Sequence, residues 1–344
     1  MKEHINIPIF IPHLGCPNSC VFCNQRTISG VKSFDISEVK DIIDGSIKSS
    51  VGKEREIAFF GGSFTGIDRG LMISLLEIAY GYVKSGEVVG LRCSTRPDYI
   101  NREVLDVLKQ YGMRTIELGI QSISESVLRA SKRGHSASAA EQACRLVVEN
   151  GFDLVGQMMI GLPNSTLSNE LETAEFIIKS GAKAARVYPT VVFRNTELCD
   201  MSQNGEYVPL TVEEAVYRSA EVCKLFINNG VKIIRIGLCS SESVLDADNF
   251  YAGPMHPALG ELVENEIFYS AIKKEIISLG LNADGLYDVF IPRGTTSKAI
   301  GQRRKNKSRL VEEFQIKDLR FIEDDSIKSL DEIRVEERKR TTCI

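Results

Sequence analysis

The sequence contains no tryptophan, no low-complexity tract and no apolar run approaching the ~18 residues that suggest a membrane-spanning helix. It also lacks any excess of basic residues. A formal net charge of −4 gives no global attraction to nucleic acid or to an anionic membrane, so any polyanion would have to be met by a local basic patch. The opening stretch MKEHINIPIF has too short an apolar run and too early a proline for a secretory signal, and the chain is expected in the cytoplasm. Hydrophobic residues at 43% and charged residues at 26% are ordinary for a globular protein, which argues against disorder. A chain of 344 residues suffices for two average domains or for one large α/β domain with an extension.

Against these absences stands a concentration of thiols. Three of the nine cysteines fall in PHLGCPNSCVFCN, at Cys16, Cys20 and Cys23, spaced C-x3-C-x2-C, with Pro17 keeping the loop from starting as a regular helix. In a reducing compartment clustered cysteines read as ligands or catalysts, and a disulfide would in any case use only two of the three. Soft sulfur suits iron–sulfur clusters and zinc. A structural zinc wants a fourth protein ligand, for which His13 is available. A four-iron cluster on three cysteines instead leaves one iron open to a substrate or cofactor, and spacing alone leaves both options standing. Cys93, Cys144, Cys199, Cys223 and Cys239 read as single thiols in strands, helices or adjoining turns, and Cys343 sits idle near the end of the chain.

Seven short runs rich in Val, Ile and Phe predict buried strands at 5–11, 57–60, 88–94, 115–120, 153–160, 184–192 and 231–238. Helical patterns lie between them at about 36–50, 68–85, 101–111, 138–150, 168–180 and 211–229, three zones carrying capping-box pairs, Ser122/Glu125, Ser138/Glu141 and Thr211/Glu214. This alternation predicts an α/β fold, a partial or full parallel (β/α) barrel over residues 1–240, with a doubly wound open sheet as the competing architecture. A small α+β extension is expected at 241–323, with a helix at about 257–280 and a strand at 287–291, followed by a charged, loosely held tail at 324–344.

In such folds chemistry is built on the loops that leave the carboxyl ends of the strands. Those loops here read PHLGCPNSCVFC, GGSFTG, TRPD, QSISE, GLPNST, FRNTE and CSSES, and they collect the candidate residues. Gly61 and Gly62, followed by Ser63, would let backbone approach the charged amino end of a ligand. Arg96, Glu117 and Gln121 stand at or near strand ends. A carboxylate inside a strand is costly unless paired, so Glu117 calls for a ligand amine or ribose, or for an arginine such as Arg96. MMIGLP, with Ile160, suits stacking against adenine or an ordinary core strand. His135 reads as a cap, a hydrogen-bonding residue or a cofactor contact. Near the C-terminus Lys298, Arg303, Arg304, Lys305, Lys307 and Arg309 form a basic run free of acids, either a phosphate-binding surface or a solvated loop.

The cysteine pattern, with the aromatic Phe22 just before the last thiol, resembles the radical S-adenosylmethionine superfamily. That resemblance implies a 4Fe-4S cluster on Cys16, Cys20 and Cys23 and S-adenosylmethionine chelated through its amino and carboxylate groups to the open iron. It further implies reductive cleavage to methionine and a 5′-deoxyadenosyl radical, an electron donor such as flavodoxin or ferredoxin, and a glycine-rich loop that contacts the methionyl amine. His13 then becomes a neighbour of the cluster. The ordered set STRPD, ELGIQSISESVL, RGH (133–135), GQMMIGLPNST, RVYPTVVFRNTEL and LTVEEA resembles one branch, the radical domain of the Elongator catalytic subunit and its relatives, over roughly residues 5–240. Those enzymes carboxymethylate the wobble uridine of tRNA. The likeness implies that Tyr188, with Pro189, and Arg235 line the pocket, and it makes tRNA the expected substrate, with the basic run as a contact.

Two departures bear on this expectation. The Elongator-type cysteine loop has a wider first spacing, and nothing after residue 240 reads as a strand, glycine turn and helix start able to hold the pyrophosphate of acetyl-coenzyme A. Two alternatives remain. One is a radical enzyme acting on a small molecule or tetrapyrrole, like the anaerobic coproporphyrinogen oxidases, whose Gly-Gly-Gly-Thr-Pro loop differs from GGSFTG. The other is a zinc- or cluster-binding protein without catalysis.

Overall fold

The structure, a computed structural model, describes residues 4–11, 14–16, 20–24, 34–238, 248–280 and 284–338. His13, Pro17, Cys239 and Cys343 lie outside the described residues. The chain divides into two compact units, one formed by residues up to Ala215 with Leu225–Met255, the other by Val216–Lys224 with the residues from His256 onward.

The first unit is built on seven parallel strands, β1 (His4–Ile11), β2 (Glu54–Gly61), β3 (Gly90–Thr95), β4 (Met113–Gln121), β5 (Asp153–Ile160), β6 (Ala184–Pro189) and, after a two-residue β7 (Val192–Phe193), β8 (Lys232–Ile236). They pair in chain order, β1-β2-β3-β4-β5-β6-β8, in a curled half-barrel sheet. The helices are α1 (Val39–Ser49), α2 (Arg69–Lys84), α3 (Arg102–Gln110), α4 (Glu125–Ala130), α5 (Ala137–Glu149), α6 (Leu167–Lys179), α7 (Glu197–Gln203) and α8 (Val212–Asn228), the last divided between the two units.

Side-chain alternation explains how this sheet serves both packing and chemistry. On one face Ile7, Ile9, Ile57, Phe59, Leu91, Ile116, Leu118 and Met158 are buried, and apolar helix positions such as Leu75, Leu76, Leu105, Leu108, Val147 and Ile177 are buried with them. The alternate positions, matched strand to strand by the register, are Glu56, Arg92, Thr115, Glu117, Gln157, Arg186 and Arg235, a polar face. A parallel sheet covered on both sides would be apolar throughout. Half of every strand here is committed to something else.

Helix starts follow side-chain caps. Asp68, Asn101 and Ser136 accept from Leu71, Val104 and Ala139 amides, and Thr211/Glu214 closes the expected capping box. The other two expected boxes are corrected. Ser122 is buried at the strand exit and accepts from the Ser124 amide, while Glu125 accepts from the Ala137 amide, so α4 begins after Ser124 and α5 is capped by Ser136 rather than Ser138. A box not expected, Thr166/Asn169, starts α6.

The strand read as 184–192 breaks at Thr190, whose amide and hydroxyl both donate to the Ile160 carbonyl. Beyond it β7 pairs antiparallel with β9 (Phe250–Ala252). Phe250 and Met255 pack against Val191 and Phe193, so the first unit runs past the expected boundary at residue 240.

In the second unit α9 (Leu259–Leu279), α10 (Thr296–Ile300) and α11 (Lys305–Phe314) accompany a three-stranded sheet ordered β11 (Asp318–Glu323), β10 (Leu286–Ile291), β12 (Arg334–Glu337). The segment expected as a loose tail is corrected as far as residue 338: β12 pairs antiparallel with β10, Val335 enters the core, and Arg338 joins Arg320 on the Asp288 carboxylate.

Candidate active site

The cysteine loop leaves the carboxyl end of β1 and is sewn to the loop after β2. Gly62 and Ser63 amides donate to the Ile11 and Leu14 carbonyls at 3.0 and 3.1 Å. An added Cβ on Gly15 would strike the Ser63 carbonyl oxygen, one on Gly61 the Ile11 carbonyl, and one on Gly62 the Leu14 carbonyl. The space left by these glycines is therefore filled by neighbouring backbone. Gly61 and Gly62 thereby bring two loops into van der Waals contact. Further along, the Val21 amide donates to the Ser131 carbonyl and the Val21 carbonyl accepts from Leu198, while Phe22 packs beside Val21, Leu198 and Tyr207. The loop is thus anchored at both ends.

Cys16, Cys20 and Cys23 are in no disulfide, and Cys20 is the most buried of them. Burial pushes the Cys16 thiol up, with the positive charges of Arg133 and Arg96 pulling it down. Arg96 is almost fully buried and makes two hydrogen bonds to Asp98, at 2.9 and 2.8 Å. Burial opposes the charge on Asp98, but Arg96 prevails and holds its carboxyl below the usual range. Arg133 donates to the Cys20 sulfur at 3.5 Å and to the Gly119 carbonyl at 2.7 Å. His135, beside these cations, is lowered to about 4 by burial and by Arg133, and neither ring nitrogen meets a partner in hydrogen-bond geometry, although the Ile120 backbone is near. At pH 7 it is neutral.

Ser63 is buried, and its hydroxyl is bonded to Thr95 at 2.7 Å and accepts from the Arg96 amide, while Thr65 joins Thr95 at 2.6 Å. Three hydroxyls thus tie the ends of β2 and β3 together. At the end of β4 a bulge places Gln121 at φ 66°, buried, with its side-chain amide oxygen accepting from Gln157 Nε2 at 3.4 Å. A left-handed non-glycine residue is uncommon and marks a constrained position. Ile160 is fully buried and belongs to the core; Met159, paired in register with Tyr188, stands on the polar face instead.

Glu117 is the centre of the polar face. Arg92 donates to it at 2.9 Å, Arg186 at 2.7 and 3.2 Å, and Arg92 also bonds Glu56 at 3.0 Å. Arg186 extends the chain to the Tyr188 hydroxyl at 3.4 Å and lies over the Phe60 ring. Burial opposes the charge of Arg186, but Glu117 keeps the guanidinium protonated well above its ordinary value. Burial also raises the Tyr188 hydroxyl, with Arg186 and Arg235 opposing, so Tyr188 stays protonated. Arg235 is the cross-strand neighbour of Arg186. Glu117 is therefore satisfied by Arg92 and Arg186, not by Arg96. Sequence reasoning missed Glu56, Arg92, Arg133, Gln157 and Arg186, although polar residues two apart inside apolar strands, as in R-x-S and R-x-Y, were visible as a polar strand face.

Among the described residues no group of three His, Cys, Asp or Glu side chains is arranged to hold a metal ion. The cysteine set nevertheless fits an iron–sulfur cluster. Its donors are soft thiols, and Arg96 Nη1, Arg133 Nε, both His135 nitrogens and Ser131 Oγ are buried without hydrogen-bond partners in the segments around it. Buried polar atoms are ordinarily satisfied, so orphans concentrated at one place ask for an acceptor there.

In the second unit the basic run is divided. Lys298, Lys307 and Arg309 pair with Glu264, Asp318 and Glu266, and Arg309 also stacks on Tyr269. Arg303, Arg304 and Lys305 are exposed. No helix among the described residues is long and apolar enough to cross a membrane.

Comparison with known proteins agrees with this geometry. Residues 10–177 match the Radical SAM superfamily, and residues 182–268 match the Radical_SAM C-terminal domain. An uncharacterized protein of Methanocaldococcus jannaschii is 30% identical over 232 residues, 63% of this chain and 70% of that one. Elongator complex protein 3 of Mus musculus is 32% identical over 151 residues, 43% of this chain. The tRNA uridine(34) acetyltransferase of Methanocaldococcus infernus is 31% identical over 131 residues, 37% of this chain. The matched spans are 28% and 24% of those two proteins. In structure the chain is similar to the archaeal Elp3 of Methanocaldococcus infernus, with a TM-score of 0.62 at 21% identity over 83% of this chain and 65% of that one.

Proposed function

The chain belongs to the radical SAM superfamily, and from that premise we propose that it is a radical enzyme that modifies RNA, with tRNA as substrate. It is an enzyme whose cofactors are a 4Fe-4S cluster and S-adenosylmethionine. With the cluster held by Cys16, Cys20 and Cys23, the two would supply an electron and a 5′-deoxyadenosyl radical able to take a hydrogen atom from substrate. The electron comes from a low-potential donor such as flavodoxin or ferredoxin. The reading places the protein in the cytoplasm, where thiols stay reduced.

The protein's own part is positioning. Gly15, Gly61 and Gly62 hold the cysteine loop on the strand ends. Arg96 and Arg133 place positive charge beside it, and Gln121 and Phe22 would help hold the cofactor. Glu117 keeps two arginines fixed across the open sheet face, and with Tyr188, Gln157 and Arg235 they offer hydrogen bonds to a polar substrate. An arginine-rich face suits phosphate oxygens and base edges, because a guanidinium binds planar and tetrahedral acceptors through paired donors.

The observation that carries the reading is the three-cysteine loop at the carboxyl end of the first strand of a half-barrel whose inner face is charged. RNA is supported by the likeness to proteins named for tRNA and Elongator. Acetyl transfer is not proposed, since the matched span is 24% of the archaeal acetyltransferase. Anaerobic reconstitution is expected to give a brown protein with about four iron per chain. After reduction it should release 5′-deoxyadenosine, and with tRNA present it should yield a nucleoside of altered mass. A colourless protein with one zinc would sink the radical reading, and deoxyadenosine release without any altered nucleoside would sink RNA.

A further inference from the structure

Arg133 is a buried guanidinium, 8% exposed, that forms no ion pair with any acid among the described residues. Arg96, by contrast, has Asp98, and Arg92 and Arg186 share Glu117. A buried charge left without a counter-charge is costly, so this one calls for an anion beside it. Arg133 reaches the Gly119 carbonyl with Nη2 and the Cys20 sulfur with Nη1, while Nε is buried without a partner. The backbone repeats the connection, since the Ser131 carbonyl, two residues earlier, accepts from the Val21 amide, the residue after Cys20.

Resting on the cluster assignment above, we propose that Arg133 is a positioning residue that sets the reduction potential of the cluster. It donates to the Cys20 ligand sulfur and offers the remaining N–H to the cluster's sulfur face, as the unpaired counter-charge of an anionic group. Hydrogen bonds to sulfur, net charge and exposure are the means by which a protein tunes such clusters. Reduction adds negative charge, which a nearby cation stabilises, so the arginine holds the potential up. Arg96 contributes less, because Asp98 cancels its charge.

The test uses reconstituted full-length protein, titrated potentiometrically and read by electron paramagnetic resonance without S-adenosylmethionine. Arg133→Gln is expected to retain its iron and to shift the midpoint to more negative potential. Arg133→Lys, which keeps the charge but loses the planar fork, should fall between Gln and the parent. If Gln fails to assemble a cluster, the Lys variant carries the test by the same sign. A potential unchanged in the iron-loaded variants, or changed only once S-adenosylmethionine is added, overturns the proposal and makes Arg133 a structural brace or a ligand-binding residue. Failure of the parent protein to bind iron overturns the cluster assignment and this inference with it.

Discussion

If the carboxylate of Glu117 is removed, Arg92 still has Glu56, but Arg186 loses its acid partner while remaining almost fully enclosed. Breaking a buried pair from one side costs about 3–5 kcal/mol because a charge is left stranded. Glu117→Gln keeps the shape and one acceptor oxygen, so the expected loss is toward the lower end, roughly 3 kcal/mol, in urea unfolding of the cluster-free protein. Arg186→Met in the Glu117→Gln background should recover part of it, and a Glu117→Gln variant as stable as the parent would refute the pairing. That Glu117 needed a partner was legible from its place in an apolar strand; which arginine it takes was not. The β3–β4 register sets Ser94 opposite Glu117 and shifts between Leu91 and Arg92, which brings Arg92 within reach, while Arg96, past the strand end, turns to Asp98 two residues away. Register of this kind depends on a bulge, and a bulge leaves no mark in periodicity.

At the scale of elements, the two loops that leave β1 and β2 act as one piece. An alanine at Gly62 puts its Cβ into the Leu14 carbonyl, and backbone on backbone cannot yield by a rotamer change. Overpacking generally costs about 1–3 kcal/mol, and here the displaced backbone leads directly into Cys16. Gly62→Ala is therefore expected to lower thermal stability and to reduce iron retained after gel filtration. Gly45→Ala, in α1 with open space at its Cβ, should raise stability by roughly 0.5–1 kcal/mol and leave iron content alone. Equal iron retention in both would contradict the loop–loop account. The long elements were readable because each has its period: the run at 153–160 coincides with β5, and the helices agree within a few residues. The short ones were not. β7 has two residues and α7 seven, too few to show a period, and β12, RVEE, exposes three of its four side chains, so its composition is that of a charged tail.

On the scale of the whole molecule, the question is how a chain of net charge −4 would hold a polyanion. Long-range attraction is not available, so affinity would rest on a local cluster of cations not already committed. Six basic residues between 298 and 309 look equivalent in the sequence, yet three of them are paired with acids of their own unit. Exposed pairs are worth at most about 1 kcal/mol, so a paired lysine can turn to a phosphate, but it leaves a carboxylate behind that repels the same phosphate. The free trio should dominate. Each phosphate contact on a single strand contributes about 0.7 to the slope of log K against log salt. Replacing Arg303, Arg304 and Lys305 by alanine should then flatten the slope for tRNA by roughly 2. Replacing Lys298, Lys307 and Arg309 should flatten it less and should instead lower the melting temperature, because Arg309 also lies 3.6 Å above the Tyr269 ring. Filter binding across a salt series separates the two sets. Equal flattening in both triple variants would remove the distinction between paired and free cations, and a parent slope that neither variant changes would leave the inner face of the half-barrel, with Arg92, Arg186 and Arg235, as the remaining place for an anionic substrate.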